Sequence, residues 1–267
     1  MFKRSISNLA WGKEHDTEMY KFLSENNFEG IEIAPSRVFG ENPYIMINEA
    51  KDYKKKLSEK YNLEISSIQS IWYGRKENIF ISNFERNILL EYTKKAIDFA
   101  AILNCKNIVF GCPKNRNIPS NMNVNDCYKI ATDFFSEIGE YANNHNTCLS
   151  IEANPAIYNT NFLTSTSEAI SIIKDIDSKG IKLNLDTGTM IYNKEMIDLV
   201  KDNNTLINHI HISEPFLKPI SYNQLQNEII NNFRNNDNYS KYISIEISLC
   251  ENVSLVKECL LKLSEYK

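Results

Sequence analysis

One pattern repeats along this chain: a short β-rich run, a polar joint, then a stretch with helical spacing. The β-rich runs cover residues 5–10, 30–34, 64–70, 107–111, 148–154, 181–186, 208–213 and 242–248. Between them, Ile88, Leu89, Tyr92, Ala96, Phe99 and Ala100 mark one helical face, and Ile130, Phe134, Phe135, Ile138 and Tyr141 mark another. Residues 164–167 precede Glu168, Ala169, Ile170, Ile172 and Ile173 and predict a helix start, while 252–263 reads as the last helix. Eight β–α units in 267 residues match the length of an α/β (β/α)8 TIM barrel, about 250 residues. The rival for alternating elements is a doubly wound sheet, but no G-x-G-x-x-G follows the first strand. No linker or composition shift marks a second domain, so one barrel domain over residues 1–267 is expected.

The last four strands carry a second signal. Buried parallel strands normally read as continuous apolar runs. Here they alternate. Ile151 opposes Ser150, Glu152 and Asn154; Ile181, Leu183 and Leu185 oppose Lys182, Asn184 and Asp186. Ile210 and Ile212 oppose His209, His211 and Ser213; Ile243, Ile245 and Ile247 oppose Ser244, Glu246 and Ser248. Side chains alternate faces with period two, so the apolar set meets the helices and the polar set points into the barrel. Glu152, Asp186, His211 and Glu246 then stand at or near the C-terminal ends of four consecutive strands, the end where barrel enzymes keep their active sites. Three converging carboxylates repel one another unless a cation neutralises them. Three oxygen donors and one imidazole suit one divalent ion: Mn²⁺ first, with Mg²⁺, Co²⁺ or Zn²⁺ as options.

Composition narrows the partners. The net charge is −4, and nucleic-acid binding through the backbone calls for a basic surface. The N-terminal residues are too polar for a signal peptide, and no apolar run approaches a membrane span. The six cysteines form no C-x-x-C pair and read as reduced thiols of a cytoplasmic protein. The expected partner is a small molecule, with neither nucleic acid nor membrane. A homo-oligomer is left open.

SIEANP, NLDTG, HIHISEP and SIEIS together resemble the xylose isomerase-like barrels, which include sugar phosphate isomerases/epimerases, tagatose/psicose 3-epimerases, inosose dehydratases and endonuclease IV. The resemblance implies a sugar isomerase or epimerase. It also implies that Glu152, Asp186, His211 and Glu246 hold Mn²⁺ or a related ion, and that Glu152 and Glu246 act as acid and base on opposite faces of the substrate carbon. Relatives often carry His three residues after the aspartate, where this chain has Thr189; that bears on the substrate more than on the metal. After the seventh strand, Glu214 and Lys218 loosely match a glutamate and a cation of the family pattern.

Further substrate contacts are expected at the same mouth. Gln69 ends the third strand, Asn154 shares the parity of Glu152, and Trp11 closes the first strand as an apolar wall for a sugar ring. Lys114 and Arg116, on the loop after the fourth strand, are candidates for an anionic group. Glu32 has inward parity and either contacts substrate or pairs with a buried cation; His209, below His211, reads as a hydrogen-bonded supporting group. The resulting reaction is proton abstraction alpha to a carbonyl through an enediolate, on a sugar, sugar phosphate or keto-polyol. A dehydratase-like lyase would begin with the same step. An endonuclease IV-like nuclease needs more histidines than four and has Gln69 and Gly111 where further ligands would stand; a non-catalytic binding barrel would lack the four donors.

Overall fold

The computed structural model describes residues 1–266. Eight parallel strands form one sheet: β1 (Lys3–Ile6), β2 (Gly30–Ile33), β3 (Glu64–Ile68), β4 (Ile108–Phe110), β5 (Leu149–Glu152), β6 (Ile181–Asp186), β7 (Ile207–Ile212) and β8 (Tyr242–Ile245). β1 pairs with β8, and the order runs round to β2; a single parallel bridge, Ser7 to Glu32, joins the two remaining edges. This is the (β/α)8 TIM barrel. Each predicted strand is found, but most are shorter than the apolar run. In the first unit the strand ends at Ile6, because Asn8–Ala10 turns into a 3-10 helix that Ser7 caps. In the third, Ser70 adopts a left-handed conformation that ends the strand.

Several helices start where short polar side chains accept the first free N–H groups. Ser82, Asn123, Ser165 and Asn252 cap Asn83–Ile102, Val124–Asn144, Thr166–Ile176 and Val253–Ser264. Asn223 forms a capping box with Gln226 at the head of Gln224–Arg234. That helix takes in Asn231 and Asn232, so the Asn-rich stretch 231–238 is only partly the expected loop. Asparagine also serves where glycine is scarce. Asn27, Asn62, Asn104, Asn146 and Asn159 all have φ near +55°, a conformation that asparagine tolerates better than most residues.

The isoleucines and leucines of the strands are buried against the helices. The barrel interior is filled differently. Ser5 and Ser66 hydroxyls meet at 2.6 Å, Ser150 donates to Asn107 at 2.6 Å, and His209 Nε2 meets Ser244 at 2.9 Å. These polar groups are buried and partnered, as burial requires. They build a hydrogen-bonded floor beneath the C-terminal mouth.

Candidate metal centre

Strand register brings the donors together. Asp186 pairs with His211 across β6 and β7, and Glu152 pairs with Asn184 across β5 and β6. A bulge between Leu183 and Asn184 sets that offset. Glu246 follows β8, where its N–H donates to the Ile212 carbonyl at 3.0 Å. One ligand atom from each of Glu152, Asp186, His211 and Glu246 lies within 4.8 Å of the other three, close enough to share one ion. Nδ1 of His211 stands 2.9 Å from a Glu152 oxygen and 3.2 Å from a Glu246 oxygen.

Three of the four donors, His211, Glu152 and Asp186, are held from behind. Nε2 of His211 lies 3.0 Å from Glu32 Oε2, which also lies 3.3 Å from His209 Nε2. Gln69 Nε2 donates to the other Glu32 oxygen at 2.9 Å. Glu32 therefore pairs with buried imidazoles and does not reach the mouth. Glu152 receives amide N–H groups from Asn184 at 2.6 Å and Asn154 at 3.1 Å. Asp186 accepts from the Thr189 N–H at 2.7 Å and from the Ser213 hydroxyl, with the Thr189 hydroxyl 2.8 Å away. Thr189, expected only as a missing histidine, thus supports Asp186.

The electrostatics follow from burial and crowding. Burial, reinforced by Glu152, pushes Asp186 up to about 6. Burial pushes Glu246 up to about 7, although His211 pulls the other way. Burial also opposes a charge on His211, but Glu32 and the neighbouring glutamates hold its imidazole well above the usual histidine range. Without a cation, the His211 imidazolium is the only positive charge among the four groups. A divalent ion would displace the Nδ1 proton of His211 and offset two of the three carboxylate charges, so the donor set fits such an ion.

The cavity over the donors is about 170 Å³, with Gln69, Glu152, Asn154, Tyr158, Asp186 and Glu246 on its wall. Ser70 and Cys112, both left-handed, also line it. Burial pushes the Cys112 thiol up to about 12, so it is not a thiolate nucleophile. A larger groove of about 1060 Å³ borders the Asn-rich stretch and contains none of the donors.

The other expected substrate contacts divide. Gln69 and Asn154 reach the cavity, each already bonded to a carboxylate. Trp11 does not: it is 1% exposed and donates to Asp16 at 2.9 Å. Arg116, expected to meet an anionic group from the loop after the fourth strand, is instead fully buried. Its guanidinium donates to the Glu152 carbonyl at 3.1 Å and Asn154 Oδ1 at 2.7 Å, so it positions Glu152 from below. Glu214 is occupied by Ser221 and Gln226, while Lys218 lies over the Phe216 ring. Lys114 is exposed. None of these five lines the cavity over the donors. Tyr158 was missed because it lies in a short 3-10 turn with no strand parity to flag it. Asn184 was legible: it has the same parity as Asp186.

No curated protein matches the chain by sequence. Among solved structures, 3-keto-D-glucoside 4-epimerase YcjR from E. coli superposes with TM-score 0.78 at 18% identity, covering 99% of this chain and 100% of that one. A D-tagatose 3-epimerase-like protein gives 0.77 at 20%, covering 99% and 97%. An L-ribulose 3-epimerase gives 0.77 at 14%, covering 100% and 94%. At such identities the likeness is one of fold. The sequence pattern of a whole family, however, matches residues 20–247, from the first helix to just past β8. The chain belongs to the xylose isomerase-like TIM barrel family.

Proposed function

We propose that this protein is a divalent-metal-dependent isomerase or epimerase of a sugar, a sugar phosphate or a related keto-polyol. The observation that carries the reading is the four-donor cluster of Glu152, Asp186, His211 and Glu246 at the mouth of the barrel. Structural neighbours that are themselves named 3-keto-D-glucoside 4-epimerase and L-ribulose 3-epimerase support the substrate class.

The ion would polarise a substrate carbonyl and the adjacent hydroxyl, which favours the enediolate. The remaining work falls to the chain. Glu152 and Glu246 lie on opposite flanks of the cluster, from β5 and just after β8. Asn154 and Asn184 fix both oxygens of Glu152, so it meets a substrate C–H in one orientation. Burial raises Glu246 to about 7 in the metal-free site; a bound cation would favour its carboxylate, the form that accepts a proton. One glutamate removes the proton alpha to the carbonyl; the other returns it to the opposite face or to the neighbouring atom. Tyr158, at the rim, offers a hydroxyl to the substrate.

The test is a screen of sugars and sugar phosphates in D₂O with added Mn²⁺. Deuterium entering one carbon identifies substrate and position, and loss of water from the product would assign a lyase instead. Glu152→Gln and Glu246→Gln should each lose about 10²–10⁴-fold in kcat. Full turnover in both variants, with metal still bound, would assign the proton transfers elsewhere.

A further inference from the structure

The barrel has a second concavity at its other end, where the strands begin. It measures about 420 Å³, and Lys3, Lys54, Lys106 and Lys241 stand on its wall. Among the described residues, Glu64 is the one carboxylate lining it, and Glu64 is already engaged: Lys3 Nζ lies 2.8 Å away and the Tyr242 hydroxyl 2.5 Å away. Among the described residues Lys54, Lys106 and Lys241 form no ion pair, although Lys54 stands near enough to Glu64 to favour its carboxylate. Nζ of Lys241 donates to the Ile207 carbonyl at 3.2 Å, and burial together with nearby Lys182 disfavours its charge. Lys182 has inward parity and pairs in register with Ser150, on the floor of the barrel.

Helix carbonyl ends also face this mouth and attract cations. They do not account for Lys241, whose carbonyl partner is the first residue of β7. Like charges gathered at a concave, partly desolvated surface are costly unless an anion joins them. Exposed Ser240 stands on the same wall, as do Ser66, Asn107 and Asn208, which are hydrogen-bonded to Ser5, Ser67 and Asn107 respectively. Positive charge at the wall and a volume of this size suit a phosphoryl group with a small organic body.

We propose that this basal cavity binds a phosphate-bearing small molecule, with Lys54, Lys106 and Lys241 meeting the phosphoryl oxygens. The site is separate from the one at the C-terminal mouth and does not depend on the function assigned there. The test is isothermal titration of chelator-treated protein with inorganic pyrophosphate, at ionic strength held constant with potassium chloride. One saturable site is expected. Lys106→Gln and Lys241→Gln should each weaken it about tenfold, the order of one lost charge-assisted hydrogen bond. Asp186→Asn should leave it unchanged. Lys54→Gln and Lys106→Gln alter side chains at or near the surface, so they decide the matter if Lys241→Gln does not fold. Three outcomes would overturn the proposal: no saturable heat, unchanged affinity in the lysine variants, or loss of binding in Lys114→Ala or Lys218→Ala instead.

Discussion

Replacing Glu32 by Gln tests whether the proposed metal centre is set from behind. Glu32 is fully buried, and one of its oxygens lies 3.0 Å from His211 Nε2. In a metal-loaded protein that contact keeps the remaining imidazole proton on Nε2 and turns the Nδ1 lone pair toward the ion. The amide keeps the size of the carboxylate but loses its charge. Loss of such a supporting partner costs about 10- to 100-fold in metal affinity, or about 1.4–2.7 kcal/mol. The metal-free protein should suffer too. Burial alone would raise the Glu32 carboxyl, but His211 and His209 hold it well below the usual carboxylate range. Its contribution is therefore present above the unfolded carboxylate value and lost only in strong acid, so the variant should be less stable throughout the neutral range. Breaking one side of a buried pair costs about 3 kcal/mol or more. Calorimetric titration of chelator-treated protein with Mn²⁺, beside thermal unfolding, reads both effects. A folded Glu32→Gln variant that binds Mn²⁺ within about twofold of the wild type would refute the reasoning.

Three further outcomes are expected. Asp186 and Glu246, raised to about 6 and about 7, disfavour the folded state once ionised, so metal-free protein should lose stability as pH rises from about 4 through that range. Saturating Mn²⁺ should remove the loss, and a metal-free Tm that stays flat with pH would contradict it. Mn²⁺ binding should release protons, chiefly from His211 and Glu246, and weaken as pH falls through about 7 and below, read from calorimetry in buffers of different ionisation enthalpy; identical heats in all buffers would count against it. Arg116→Ala should cost about 3 kcal/mol or more, through a lost buried side chain and unpaired carbonyls, whereas exposed Lys114→Ala should stay within about 0.5 kcal/mol. Equal Tm shifts in the two variants would undo that distinction.

The sequence by itself determined the eight β–α units and the inward face of the last four strands. Both depend on local periodicity. Ile210, His211 and Ile212 must alternate whatever lies beside them, so the inward placement of His211 needed no knowledge of its neighbours. Helix starts were legible for the same reason, since Ser165 and Asn252 cap the turns that immediately follow them. The tertiary structure decided what stands behind each group. Glu32 meets His211 across 179 positions, and the register of β2 and β6 includes bulges after Ile31 and Leu183 that no local pattern announces. Lys114 and Arg116 lie two positions apart on one loop, yet one is solvated and the other fully buried against the Glu152 carbonyl. The basal lysines come from four separate segments and share a cavity only because the barrel closes. Periodicity fixes the direction of a side chain along its own strand; its partner depends on register and closure, which arise between segments distant in the chain.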